Sequence, residues 1–244
     1  MSKDYRSRIY GCYATNFQDA PENFDGEAAW EWGRAYRHYL RGWLPVNKAA
    51  NILDMACGGG KLLYFFQRMG FENISGVDIS PEQVRLAKQV MSDVHEANVI
   101  EYLEANPNSF DLITGLDIVE HFYKHEVLRF LDACFSALRP GGRLILQTPN
   151  ADSPWGTVCR YGDFTHEVGF NPNALTRLLR LSGFVGMESR ELGPVPMGHS
   201  IASTIRCLGW QVVRMGLVLW NLVETGAAGS GVFTRVFLVT GERL

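Results

Sequence analysis

The sequence predicts an α/β domain built on a parallel sheet with helices on both faces, and three observations carry that expectation. Short apolar, β-like runs alternate with helical segments from Asn51 to Phe184, the pattern of parallel strands joined by crossover helices. Glycine, proline and capping residues punctuate the alternation. The 244 residues, 46% hydrophobic and 20% charged, suffice for one such domain with additions and a full core.

Taken in order, an arm of residues 1–44 comes first. In it Trp32, Tyr36, Tyr39 or Leu40, and Trp43 recur at helical spacing beside Arg34, Arg37 and Arg41, which predicts a helix packed on the core as a lid. Stacking of these aromatics on a sugar is the alternative. A core of residues 45–190 follows, with strands expected near 51–55, 74–78, 94–98, 110–116 and 142–148. Gly58, Gly59 and Gly60 turn the chain into a helix over Lys61–Met69. Ser80-Pro81-Glu82-Gln83 opens another helix with an N-cap, a proline at N1 and Gln at the capping-box position. A third runs from Lys124 to Leu138 and stops at Arg139-Pro140-Gly141-Gly142, and a fourth from Asn171 to Ser182, ended by Gly183.

Residues 191–231 read as a helical insertion before a final strand in residues 232–244, expected over Val232–Thr240. Within it Ile201, Ile205, Leu208, Val212, Met215, Leu219 and Leu222 form one stripe. That stripe is expected to pack on the domain. The opposite side mixes Trp210, Val213, Leu217 and Trp220 with Arg206 and Arg214, too apolar for a solvated face. The two arginines make residues 201–223 a poor membrane span; Trp and Arg together predict a homodimer or partner contact or peripheral docking on a membrane, with simple burial as the remaining alternative.

The loop after the first strand, Asn51-Ile52-Leu53-Asp54-Met55-Ala56-Cys57-Gly58-Gly59-Gly60, lies where ligands bind in open α/β sheets. A dinucleotide fingerprint needs a third glycine where Leu63 stands, and a phosphate loop needs Ser or Thr where Leu62 follows Gly60-Lys61. Asp54 repels phosphate and suits a cationic ligand. The pair Asp54 and Asp78 thus reads a small polar cofactor bearing positive charge.

Asp54-Met55-Ala56-Cys57-Gly58-Gly59-Gly60 resembles the first motif of class I S-adenosylmethionine-dependent methyltransferases. Val77-Asp78-Ile79-Ser80, Phe110-Asp111-Leu112-Ile113 and Leu138-Arg139-Pro140-Gly141-Gly142-Arg143-Leu144 resemble the next three, in order and spacing. The resemblance implies a Rossmann-like, seven-stranded, mostly parallel sheet with its last strand antiparallel. It also implies S-adenosylmethionine as donor and S-adenosylhomocysteine as product. Asp54 and Gly58 to Gly60 would bind the methionine end, Asp78 the ribose hydroxyls, and Ile79 and Asn98 the adenine, with Ala56, Cys57 and Leu116 also among the cofactor-binding residues. The family often has Asp where Asn98 stands, and an amide can accept the adenine amino proton. Tyr10 and Tyr13 resemble the segment that closes over the cofactor.

Acceptor chemistry is expected after the fourth strand, in Gly115-Leu116-Asp117-Ile118-Val119-Glu120-His121, and in the insertion from Pro149 to Phe170, which carries Asp163, Thr165 and His166. His121 and His166 are the candidate bases, with Glu120 and Asp163 beside them. The bland alternative has Asp163 capping its turn and His166 packing at a helix start. Asp117, Glu120 and His121 resemble the E-x-x-E-H run of ubiquinone-biosynthesis O-methyltransferases, which implies Mg2+ or Mn2+ on those three residues. In metal-independent relatives the same run simply begins a helix. The later segments, the Thr148-Pro149-Asn150 run, Gly162–Phe184 and the late Gly229–Glu242, resemble bacterial methyltransferases associated with O-antigen and other polysaccharides. This implies O-methylation of a sugar hydroxyl in a cell-surface glycan or its lipid-linked precursor. A quinone or other small aromatic hydroxyl is the alternative acceptor, and a cofactor-binding regulator without turnover is the non-enzymatic one.

A net charge of −3 and a pI near 6.1 leave no footprint for nucleic acid. Five cysteines, an odd number without paired metal spacing, fit a reducing interior. The start, Met1-Ser2-Lys3-Asp4-Tyr5, lacks the apolar core of a signal peptide, so a cytoplasmic protein, or one at the inner face of the membrane, is expected.

Overall fold

The computed structural model describes residues 5–17, 22–196 and 200–244. Met197, within the expected helical insertion, and the first four residues lie outside them. Helices α1 (Tyr5–Tyr10), α2 (Tyr13–Phe17) and α3 (Gly26–Tyr39) precede β1 (Asn51–Met55). There follow α4 (Lys61–Arg68), β2 (Asn73–Asp78), α5 (Pro81–Ala87), β3 (Val94–Glu96), α6 (Val99–Ala105) and β4 (Phe110–Leu116). A single 3-10 turn, Val119–His121, leads to α7 (Lys124–Ala137), β5 (Leu138–Pro149), α8 (Gly156–Arg160), α9 (Pro172–Leu181) and β6 (Val185–Glu191). The insertion helix α10 (Ile201–Thr225) and β7 (Val236–Glu242) complete the chain.

The seven strands form one sheet in the order β3-β2-β1-β4-β5-β7-β6. Strands β1 to β5 pair in parallel, and β7 runs antiparallel to both β5 and β6. Each sheet face carries its own core because successive strand side chains point to opposite sides. Leu53, Met55 and Val77 pack with Phe130, Leu131 and Phe184 on one face, whereas Ile52 and Leu112 pack with Leu63, Phe65 and Phe66 on the other.

Strand order reverses between β1 and β4, which opens a crevice at their carboxyl ends. Two non-glycine residues there hold the left-handed conformation, Ala56 at φ 49° after β1 and Asp117 at φ 53° after β4. Such strain concentrates where a site must be shaped.

Several boundaries move for visible reasons. Expected strand 94–98 ends at Glu96 because Asn98 leaves the sheet to cap α6, accepting from the Ile100 and Glu101 amides. Strand β5 begins early, at Leu138, with an irregularity that carries pairing from Phe110–Leu138 to Leu112–Arg143 around Gly141 and Gly142. The last strand begins at Val236 rather than Val232. The Asn150 amide donates to the carbonyls of Val232 and Thr234, both at 2.9 Å, and holds that stretch off the sheet. Ser80 sits at the N-cap of α5, but its hydroxyl makes no capping bond, since the Ser80 amide is drawn back to Asp78.

Helix α3 buries Ala29, Gly33 and Tyr36 against α4 rather than covering the crevice. A Cβ on Gly33 would stand 3.1 Å from the Phe65 ring, and Trp30 stacks on that ring 6.5 Å away. Replacing Phe65 with alanine should therefore cost about 3–5 kcal/mol, read as a lower denaturant midpoint. An unchanged midpoint would show that α3 is not anchored through this ring.

Helix α10 is turned over relative to expectation. The stripe from Ile201 to Leu222 faces outward, and Ser203, Trp210, Arg214 and Leu217 face the domain. The reason is polar. Trp210 Nε1 donates to Glu191 at 3.0 Å, the Arg214 guanidinium donates to the Gly231 carbonyl, and the Ser203 hydroxyl donates to the Val195 carbonyl at 2.7 Å.

Candidate active site

A cavity of about 1000 Å³ occupies the crevice at the carboxyl ends of the strands. Tyr10, Tyr13, Ala56, Gly58, Asp78, Ile79, Asn98, Leu116, Asp117, Glu120, His121, Asp163 and His166 all line it. Asp54, Cys57 and Gly60 do not. They lie behind the wall, where they shape the loop rather than face the cavity.

The loop is built from backbone geometry. Gly60 takes φ 88° at the start of α4, and a Cβ there would stand 3.2 Å from the Ala87 Cα. Asp78 ends β2 and accepts from the Gly58 amide at 2.9 Å and the Ser80 amide at 2.8 Å. Burial raises its pKa, and those two amides oppose the rise. Asp54 is buried beneath the loop and accepts from the Thr114 hydroxyl at 2.8 Å, its register partner on β4. Burial pushes its carboxyl up to about 7 against that hydrogen bond, with Asp78 adding to the rise. A cationic ligand nearby would favour its ionised form.

Asn98 lines the wall, but its Oδ1 already accepts two bonds at the α6 N-terminus. Both lone pairs are used, so the expected acceptance of an adenine amino proton is corrected. Only its amide nitrogen remains to donate.

Strand β4, the 3-10 turn and the Pro149–Phe170 segment bring the acceptor-side residues together. Thr165 Oγ1 lies 2.9 Å from His121 Nδ1 and donates to Asp163 Oδ1 at 2.6 Å. Since the hydroxyl has one proton and gives it to Asp163, His121 Nδ1 must be the donor to Thr165 and Nε2 carries the lone pair. His166 Nδ1 donates to the Cys159 carbonyl at 3.0 Å, so in the neutral tautomer the lone pair is on Nε2. The two imidazoles meet edge to face, 4.7 Å apart.

Charges follow from burial and neighbours. Burial, with His166 beside it, pushes His121 down to about 4. Burial would raise Asp163, but hydrogen bonds from Thr165 and Tyr13 outweigh it and hold this carboxyl below its ordinary range. Tyr13 donates to Asp163 at 2.5 Å. Burial, then the proximity of Asp117, drives Glu120 well above the carboxylate range. Its Oε2 accepts from Thr148 at 3.0 Å, while its Oε1 has no hydrogen-bond partner and lies 4.0 Å from His166 Nε2.

Ligand atoms of Glu120, His121 and His166 lie within 4.8 Å of one another. The expected set of Asp117, Glu120 and His121 is thereby corrected, because His166 rather than Asp117 joins the group, and Asp117 accepts from Gln147 Nε2 at 2.9 Å. Gln147 in turn accepts from the Tyr36 hydroxyl of α3 at 2.8 Å. Sequence reasoning missed this Tyr36–Gln147–Asp117 chain. Its one local signal was a glutamine inside the apolar run of β5.

The first two helices roof the cavity. Tyr5 bonds Glu167, Arg6 donates to the His121 carbonyl at 2.6 Å and to Glu126 at 2.8 Å, and Thr15 donates to Glu82 at 2.7 Å. At the insertion, Trp155, Tyr161 and Phe164 are exposed.

A family profile described as a methyltransferase domain matches residues 28–189. The chain belongs to the methyltransferase-domain family. This methyltransferase uses S-adenosylmethionine. Two relatives are ubiquinone biosynthesis O-methyltransferases. The one from Xanthomonas campestris pv. campestris (strain B100) is 35% identical over 107 residues, 41% of this chain and 44% of the relative. That from Sodalis glossinidius is 31% identical over 106 residues, 41% of each. The match thus spans less than half the length of these relatives. Among solved structures, an S-adenosylmethionine-dependent methyltransferase from Archaeoglobus fulgidus superposes with TM-score 0.64 at 19% identity, over 98% of this chain and 100% of that one. The phosphoethanolamine N-methyltransferase 2 of Haemonchus contortus, bound to phosphomonomethylethanolamine and S-adenosylhomocysteine, gives 0.61 at 14% identity, over 96% and 60%. At such identities these structures speak for the fold alone. No helix of the methyltransferase among the described residues is long and apolar enough to cross a membrane.

Proposed function

We propose that this methyltransferase transfers a methyl group to a hydroxyl of a small aromatic acceptor, a phenol or quinol, with His121 as the base. The carrying observation is the Asp163–Thr165–His121 chain, which presents a neutral imidazole on the cavity wall. As the acceptor oxygen bonds the methyl carbon, the carbon–sulfur bond breaks and the sulfonium becomes a neutral thioether. The hydroxyl proton goes to His121 Nε2, and Asp163 stabilises the imidazolium through Thr165. Asp78 binds the ribose, Ile79 flanks the adenine, and Tyr10 with Tyr13 close over both ligands.

The depressed basicity of His121 favours the phenol. A phenol ionises near 10, as tyrosine does, whereas a sugar hydroxyl holds its proton far more tightly. Tyr10, Phe122, Pro149 and Val158 supply apolar wall beside the histidines, and the relatives named for ubiquinone biosynthesis point the same way. A sugar hydroxyl is the second reading, favoured by the exposed rings of Trp155, Tyr161 and Phe164, which suit the apolar face of a sugar.

A divalent cation fits Glu120, His121 and His166. Both imidazoles offer Nε2 with Nδ1 tied to a supporting group, and Glu120 Oε1 lacks a hydrogen-bond partner. Two nitrogens and one oxygen suit Mn2+ better than Mg2+, and such an ion would occupy the Nε2 lone pair and take the place of the base by lowering the acceptor hydroxyl's pKa.

Incubation with methyl-labelled cofactor and separate pools of phenols and quinols, nucleotide sugars, and lipid-linked glycans tests the reading. Label is expected in the phenolic pool. Label confined to a sugar pool would replace it with the second reading, and cofactor binding without transfer to any pool would indicate a regulator. A parallel incubation with chelator should abolish transfer if the three-residue set holds a cation, and leave it unchanged if His121 acts alone.

A further inference from the structure

We infer that the outward face of α10 is a contact between two copies of this chain, each presenting the same helix to the other. The stripe from Ile201 to Leu222 comprises large apolar side chains that are between 45% and 84% exposed. A monomer in water seldom leaves so long an apolar surface uncovered. The helix cannot roll to hide it, because Ser203, Trp210 and Arg214 are bonded to the domain on the opposite side.

The spacing of the stripe identifies the covering group as a helix. Its members fall at alternating steps of four and three residues across the whole helix, the a/d seam of a helix packed lengthwise on another. Positions flanking the seam carry no charge: Ala202, Gly209 and Gly216 on one edge, Thr204, Gln211 and Val218 on the other. Ala202, Gly209 and Gly216 recur every seven residues, and a Cβ built on either glycine meets nothing within 4 Å. That edge therefore admits a second backbone at close range.

The partner is a second copy because the seam is neutral and self-complementary. A distinct partner is normally selected by charges at the flanking positions, which are absent here; identical patches meeting about a two-fold axis need none. A membrane surface fits less well. Interfacial helices line their polar face with Lys and Arg, whereas α10 has no lysine, exposes a single arginine, Arg206, and turns Arg214 into the domain. The area is adequate: at about 100 Å² of exposed surface per side chain, two stripes remove about 1,400 Å² from water, within the range of stable pairs.

Sedimentation equilibrium of the full chain over micromolar concentrations tests this. The expected mass is twice the 27.4 kDa of one chain. The double variant Val212→Glu, Met215→Glu should sediment as a single chain, its dimer dissociation constant raised at least about 100-fold by charges buried in the seam. Neither residue lines the cavity, so unchanged cofactor affinity would report a folded variant. Val46→Glu, an exposed apolar position elsewhere, should leave the dimer intact. A wild-type chain of single mass at every concentration would overturn the inference. So would a double variant that still pairs, or a single-mass wild-type chain that co-sediments with anionic phospholipid vesicles.

Discussion

Replacing His121 with glutamine is expected to lower kcat by about 10²–10⁴-fold, the usual contribution of a positioned base. Cofactor affinity should remain within about threefold, because Asp78 and the glycine loop stay in place. Thr165→Val separates orientation from proton acceptance: it cuts the link between His121 and Asp163 yet keeps the imidazole. It should lower kcat less than His121→Gln does. Equal turnover in wild type and H121Q would remove His121 from the mechanism and leave His166 as the base.

The pH dependence follows from burial. His121 is neutral above about 4, so its protonation costs activity only as pH falls through that value. The profile of kcat/KM should show no limb near 6.5 from this group. Stability moves in the same direction. The native pKa lies below that of the unfolded chain, near 6.5, so the unfolded state binds the extra proton between the two values. Stability therefore falls as pH drops from about 6.5 to about 4, by about 3 kcal/mol from this residue, and H121Q should lose that part of the acid sensitivity. Denaturant titrations at several pH values would measure it.

Replacing Asp78 with alanine should raise the cofactor dissociation constant by about 10²–10⁴-fold. Two hydrogen bonds to a charged group contribute about 1.5–3 kcal/mol each, and the two ribose hydroxyls would lose both. The Gly58 and Ser80 amides also lose their common acceptor, so the loop loosens together with the contact. Calorimetric titration with S-adenosylhomocysteine reads the change. An affinity within threefold of wild type would place the ribose elsewhere in the cavity.

The two halves of the site were unequally legible. The donor half is encoded in short stretches, because a strand, a glycine turn and a helix create it from local backbone geometry. Asp54 and Gly58 to Gly60 are neighbours in sequence, and Asp78 follows one strand later. The acceptor half is assembled from distant residues. Thr165 meets His121 across 44 positions, and Tyr13 reaches Asp163 across 150. Position along the chain named His121 and His166 as candidates, but which imidazole is oriented, and by what, depends on loop packing that carries no local signal. Asp117 shows the converse. Its place in the Asp-x-x-Glu-His run suggested a metal ligand, yet Gln147 on the adjacent strand engages it instead.

By itself the sequence determined the alternation of strands and helices, the crevice and, through its four motifs, the cofactor, because hydrophobic periodicity and glycine turns act over a few residues. Tertiary structure decided three things: how His121 is tied to Asp163, which residues gather around Glu120, and which face of α10 turns outward. Each depends on polar partners supplied by remote segments. A stripe such as Ile201–Leu222 states only that it is apolar. Glu191 and the carbonyls of Val195 and Gly231, by bonding the opposite side, decided that it faces away from its own domain.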